Sequence, residues 1–168
     1  LTDTYAYDMR YNINFKYSSK DGVGHYLNAK EMYPTNVYSN AGVNIRTAPA
    51  FVDYIENIYV GYKWFETAYA EGLWSNISNE YGQGYNGVVQ FPFGYGLSYT
   101  SFKYDILSYD KEFSYDKNIN LKIMVTNVGN VSGQDVVEIY GTAPYIEGGI
   151  EKSSINLMGF NKTILLKP

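Results

Sequence analysis

The chain has 168 residues, 45% hydrophobic and 18% charged, with a formal net charge of -4. That length suits one domain of ~100–150 residues, or one plus part of another, and excludes a complete large multidomain enzyme. The composition supports a packed core, and the acidic balance without any basic run disfavours nucleic-acid binding.

Cysteine is absent, which removes disulfides, thiolate metal sites and cysteine nucleophiles together. The single histidine, His25, sits in the turn-like Asp21-Gly22-Val23-Gly24-His25 and reads as a solvated side chain. No apolar run reaches the ~20 residues of a membrane helix, and Leu1-Thr2-Asp3-Thr4 has no basic-then-apolar signal pattern. The chain therefore reads as soluble, without a membrane partner and with its compartment open. The extreme feature is aromatic content: 20 Tyr, 8 Phe and 2 Trp. Tyrosine suits half-buried β-surfaces and also suits stacking on sugar rings.

From Leu1 to about Ala50, only Tyr11-Asn12-Ile13-Asn14-Phe15-Lys16-Tyr17 alternates as a half-buried strand would, and the rest reads as long loops. A short strand is predicted around Ile58 to Val60, then a helix from about Gly61 to Ala70 stopped by Gly72. Leu73 to Gly87 is polar and glycine-punctuated and reads as an exposed loop carrying Trp74. Beyond Phe91 the pattern turns to β: Phe102, Tyr104 and Ile106 alternate, then Phe113 and Tyr115. Next, Ile119, Leu121, Ile123 and Val125 oppose Asn120, Lys122, Met124 and Thr126. After the turn Asn127-Val128-Gly129-Asn130, strands follow over Gln134 to Tyr140, with Val137 and Ile139 on one face, and within Asn156 to Leu166. Short strands with Gly/Asn turns predict a β-sandwich, here with too few strands for a seven-stranded one, so the C-terminus reads as a cut.

Several of these segments carry a family likeness. Ile58-Tyr59-Val60-Gly61-Tyr62-Lys63-Trp64-Phe65-Glu66-Thr67 and Phe91-Pro92-Phe93-Gly94-Tyr95-Gly96-Leu97-Ser98-Tyr99-Thr100-Ser101-Phe102 resemble two segments of glycoside hydrolase family 3, the β-glucosidase family. Val125 to Gly133, Val136 to Tyr140, Met158-Gly159-Phe160 and Leu165-Leu166-Lys167-Pro168 resemble its fibronectin-III-like domain, and Leu1 to Asp8 the segment leaving its α/β sandwich domain. The resemblance implies a mainly β chain. Residues 1–97 would be the tail of the α/β sandwich domain with a linker and one short helix, and residues 98–168 a truncated fibronectin-III/immunoglobulin-like sandwich. The length between Asp8 and Tyr54 is similar to that of members whose barrel follows these modules.

Retaining hydrolysis needs two carboxyl groups ~5–5.5 Å apart. The resemblance puts the nucleophile on a barrel, whose repeat this chain lacks, and the acid/base glutamate before residue 1, so no catalytic residue is assigned. Asp53 and Glu56 read as a charged first helical turn, Glu66 as solvated on its helix, and Glu147 and Glu151 as loop residues. No metal or nucleotide motif is present, and no cofactor is implied.

The family likeness thus predicts a non-catalytic part of a β-glucosidase-type hydrolase, scaffolding the catalytic domains and edging the sugar site. Its partners would be the missing barrel and α/β sandwich segments, and a β-linked glucoside or oligosaccharide in the complete enzyme. An independent carbohydrate-binding or adhesion module is the alternative. Trp74 and Trp64 are the substrate-contact candidates: Trp74 either stacks on a second sugar unit or anchors its loop against the helix at Tyr69 or Ala70.

Overall fold

The structure is a computed structural model that describes residues 1–13, 36–40, 43–47, 56–112, 114 and 116–168. It is mainly β, built from small antiparallel sheets with few helices. The chain divides into two units: Leu1–Phe93 with Thr142–Ile155, and Gly94–Gly141 with Asn156–Pro168. His25, Asp53, Phe113 and Tyr115 lie outside the described residues, as does most of the predicted Tyr11 to Tyr17 strand.

In the first unit, β1 (Tyr5–Ala6) runs into a 3-10 turn over Met9–Tyr11, which Asp8 caps by accepting from the Arg10 N–H at 2.8 Å. Tyr11 is therefore helical and not the start of a strand. Arg10 pairs with Asp8 and holds its carboxyl below the usual range. An in-register hairpin joins β2 (Asn36–Asn40) to β3 (Val43–Thr47) inside the stretch read as loop. The sequence reading missed it although Val43 and Ile45 alternate with Asn44 and Arg46 in β3, because β2 reads Asn-Val-Tyr-Ser-Asn, with no run of alternating apolar residues to pair with it.

No strand forms over Ile58 to Val60. Glu56-Asn57-Ile58 instead make a turn, with Asn57 at φ 49°, one of the few residue types that tolerate this region. Glu56 thus stands in a turn rather than in the first turn of a helix. The helix α1 spans Tyr62–Ala70, one residue from its predicted start, with Gly61 at its N-cap. It ends where Gly72 takes φ 74° and its N–H donates to the Tyr69 carbonyl at 3.0 Å, while the Leu73 N–H reaches Ala68 O at 2.9 Å.

The segment read as one exposed loop is more ordered than that. It contains the tight hairpin β4 (Ser78–Asn79) and β5 (Gly82–Gln83), then the single turn α2 (Tyr85–Val88), then β6 (Val89–Phe91), which pairs antiparallel with β1. Asn79 organises the hairpin: its Oδ1 accepts from the Tyr81 and Gly82 N–H groups at 3.0 and 3.2 Å, and its Nδ2 donates to Gly87 O at 2.9 Å. Phe65 and Ala68, three apart on α1, bury against Trp74, Val88 and Val89, with Ala6, Tyr11, Trp64, Ile77 and Tyr85 packed around them.

The second unit holds two two-stranded antiparallel sheets. In one, β7 (Phe102–Tyr109) pairs with β8 (Leu121–Asn127). In the other, β9 (Val136–Gly141) pairs with β10 (Asn156–Lys162). Each carries one register slip, between Ile106 and Ser108 and between Leu157 and Gly159. Along β8 the alternation read from the sequence is realised, with Leu121, Ile123 and Val125 half-buried and Lys122, Met124 and Thr126 exposed. Along β7 it is not: Tyr104 and Ile106 are exposed and only Phe102 of the three is half-buried. Buried Asn127 ties the unit together. Its Nδ2 donates to Val131 O at 2.8 Å and Leu166 O at 3.1 Å, and its Oδ1 accepts from Thr100 Oγ1 at 2.6 Å and Gly129 N at 3.1 Å.

Candidate functional site

The two tryptophans come together in the first unit. Trp74 is 5% exposed, with ring centroids 5.7 Å from Phe65, 6.3 Å from Tyr85 and 6.5 Å from both Tyr11 and Trp64. The Trp64 contact is edge-to-face, at 84° between planes. Trp64 is half-buried and its Nε1–H donates to Tyr11 O at 2.8 Å, which satisfies its polar atom and fixes its ring. A loop of Gly, Asn and Ser around a tryptophan reads as exposed in sequence. It folds inward because α1 presents Phe65 and Ala68 as the apolar floor that Trp74 covers.

Above this core, α1, β5 and α2 frame a cleft of about 290 Å³ lined by Glu66, Tyr69, Gln83, Tyr85 and Asn86. Glu66 and Tyr69 project from the same helix three residues apart. Glu66 is half-buried, not fully solvated, and its Oε1 accepts from the Tyr85 hydroxyl at 2.6 Å. Tyr69 meets Tyr85 edge-on, with centroids 5.4 Å apart and 68° between planes, and stays 53% exposed. Gln83 and Asn86 stand exposed on the opposite wall. In the sequence, Glu66 reads as solvated on its helix and Tyr69 only as an alternative anchor for Trp74, and nothing there brings either together with Gln83, Tyr85 and Asn86. The helical spacing of Glu66 and Tyr69 was visible, but their meeting with Tyr85 depends on the fold of the hairpin.

The other carboxylates stand apart from this cleft. Glu151 accepts from the Tyr59 hydroxyl at 2.9 Å, and burial, reinforced by Glu151, pushes the Tyr59 phenol above its ordinary value. Glu56 is buried with its Oε2 unpartnered among the described residues. No group of three or more His, Cys, Asp or Glu able to hold a metal ion occurs among the described residues.

In the Phe91 to Thr100 segment, Phe93 packs on Tyr62 at 4.9 Å within the first unit. Gly94, in the second, adopts φ 78°. Leu97 and Tyr99 are 89% and 98% exposed.

No family model matches the chain. It is 31% identical over 137 residues to thermostable β-glucosidase B of Acetivibrio thermocellus, a match covering 80% of this chain and 16% of that protein. It is 35% identical over 130 residues to β-glucosidase A of Butyrivibrio fibrisolvens, covering 70% of this chain and 14% of that protein. The crystal structure of a β-glucosidase from Paenibacillus barengoltzii superposes with a TM-score of 0.58 and 30% identity over 100% of this chain and 13% of that one. Its relatives are glycoside hydrolase family 3 β-glucosidases. β-Glucosidase 3B of Thermotoga neapolitana, solved in complex with glucose, matches with a TM-score of 0.51 and 32% identity over 72% of this chain and 14% of that one. The chain therefore spans about one-sixth or less of the β-glucosidases it matches.

Proposed function

We propose that this chain is a non-catalytic portion of a β-glucosidase-type glycoside hydrolase that scaffolds the catalytic domains. In this reading, residues 1–97 end an α/β sandwich domain and residues 98–168 form a fibronectin-III-like module. The carrying observation is that similarity to β-glucosidases runs along the chain while both tryptophans pack into one core. An independent sugar-binding module built on Trp64 and Trp74 would need their faces on a surface, whereas Trp74 is enclosed by Phe65, Tyr85 and Trp64.

The complete enzyme would act on a β-linked glucoside or oligosaccharide, a substrate class supported by the glucose bound in the Thermotoga neapolitana relative. A retaining carboxylate pair would come from segments outside this chain. Nothing about a scaffold requires a cofactor. The test compares aryl β-glucoside hydrolysis by the protein expressed from its complete reading frame with hydrolysis by residues 1–168 alone. Turnover only by the former is expected, and turnover by the isolated chain overturns the proposal.

A further inference from the structure

We propose that the cleft between α1 and the β5–α2 segment is an auxiliary subsite for one neutral pyranose unit of an oligosaccharide, with Tyr69 as its apolar platform. A pyranose presents a weakly apolar C–H face and a rim of hydroxyls that each donate and accept. Its receptor therefore needs an aromatic ring beside groups of both hydrogen-bonding polarities. This cleft supplies that set: the exposed Tyr69 ring, the Glu66 carboxylate as acceptor, and the Gln83 and Asn86 amides as donors and acceptors. Glu66 is oriented by the Tyr85 hydroxyl through one oxygen, which leaves Oε2 available for a sugar hydroxyl.

Two features make the cleft preformed. Gly84 stands at φ 56°, a conformation an L side chain rarely adopts, and its N–H bonds Ile77 O at 2.9 Å, setting the angle at which Tyr85 leaves the hairpin. Beneath it, Tyr85 rests on buried Trp74. Trp74 thus supports Tyr85, the ring that Tyr69 meets edge-on, from behind instead of touching a ligand. Among the described residues no Lys, Arg or His lines the cleft, and Glu66 contributes a carboxylate, which disfavours uronic acids and phosphorylated sugars. A volume of about 290 Å³ has room for one ring.

That the sugar is a glucoside rests on the proposed function; binding of a neutral pyranose does not. The test titrates the protein expressed from its complete reading frame with a non-hydrolysable, sulfur-linked methyl cellobioside by calorimetry. Wild type is compared with Tyr69→Ala and with Gln83→Ala, both at exposed positions, so that a folding defect in one leaves the other to decide. A saturable component should weaken about tenfold in each variant, a loss of about 1.4 kcal/mol, while kcat and KM on an aryl β-glucoside stay unchanged. Isotherms identical across the three proteins, or no saturable heat at all, overturn the subsite. Loss of aryl glucoside turnover in the wild-type protein would instead count against the proposed function, leaving the two readings separable.

Discussion

The two units use aromatic and aliphatic residues in opposite ways. In the helix-containing unit, Phe65, Ala68, Trp74, Val88 and Val89 are buried among the described residues, and aromatic side chains pack around them. In the strand-rich unit no described hydrophobic residue is buried. Leu121, Ile123, Val125, Val137, Ile139 and Phe160 line a cleft of about 410 Å³. The difference follows from geometry. One helix and a folded-back loop can surround a large side chain such as Trp74. Two two-stranded sheets expose edges and most of both faces, and a two-stranded sheet alone is marginal in water. The strand-rich unit relies instead on polar ties, chiefly the four hydrogen bonds of Asn127.

The largest expected effect is at Trp74. Trp74→Ala should destabilise the protein by about 3–5 kcal/mol, read from thermal or urea unfolding, because the cavity lies inside a closed aromatic cluster. A loss below about 1 kcal/mol would mean that the helix-containing unit is no better packed than its neighbour. Next comes Asn127→Ala, expected to cost about 2–3 kcal/mol by the same measurement, since it leaves the Val131 carbonyl and the Gly129 N–H without their partner and removes one of the two hydrogen bonds to the Leu166 carbonyl, which keeps that from the Gly133 N–H. A neutral result there would shift the weight in the strand-rich unit from polar ties to its apolar faces.

Ile123→Ala sharpens the contrast further. On the open cleft the side chain is only half-buried, so truncation should cost about 1 kcal/mol, against about 2–5 kcal/mol for a closed core. A loss at the upper end would mean that this cleft is closed in solution.

The smallest effect concerns pH. Partial desolvation of its hydroxyl, with help from the Asp135 carboxylate that accepts from it, pushes the phenol of the otherwise exposed Tyr104 up to about 12. The folded state therefore holds this proton more tightly than the unfolded state, whose tyrosine titrates near 10. Its contribution is fully present below pH 10 and is lost as pH rises from 10 to about 12. Tyr104→Phe should flatten that part of the stability–pH curve, followed by denaturant midpoints at pH 9, 10 and 11. An unchanged slope would remove the Tyr104–Asp135 pair from the ties of the strand-rich unit.

Local pattern carried much of this protein. The alternation of Leu121, Ile123 and Val125 with Lys122, Met124 and Thr126 marks β8 because a pleated strand turns successive side chains to opposite faces. The absence of Gly and Pro from residues 62–70, bracketed by Gly61 and Gly72, marks α1 to within one residue. The ordered segments around Ile58, Phe91 and Val125 were enough to indicate the β-glucosidase family. Tertiary structure decided what periodicity cannot encode. Whether Trp74 faces water depends on Phe65 and Ala68 lying opposite it, and whether Glu66 is solvated depends on Tyr85, 19 residues away. The Ile58 to Val60 run has strand-like residues but forms no strand, because β propensity is realised only where a neighbouring strand accepts its hydrogen bonds.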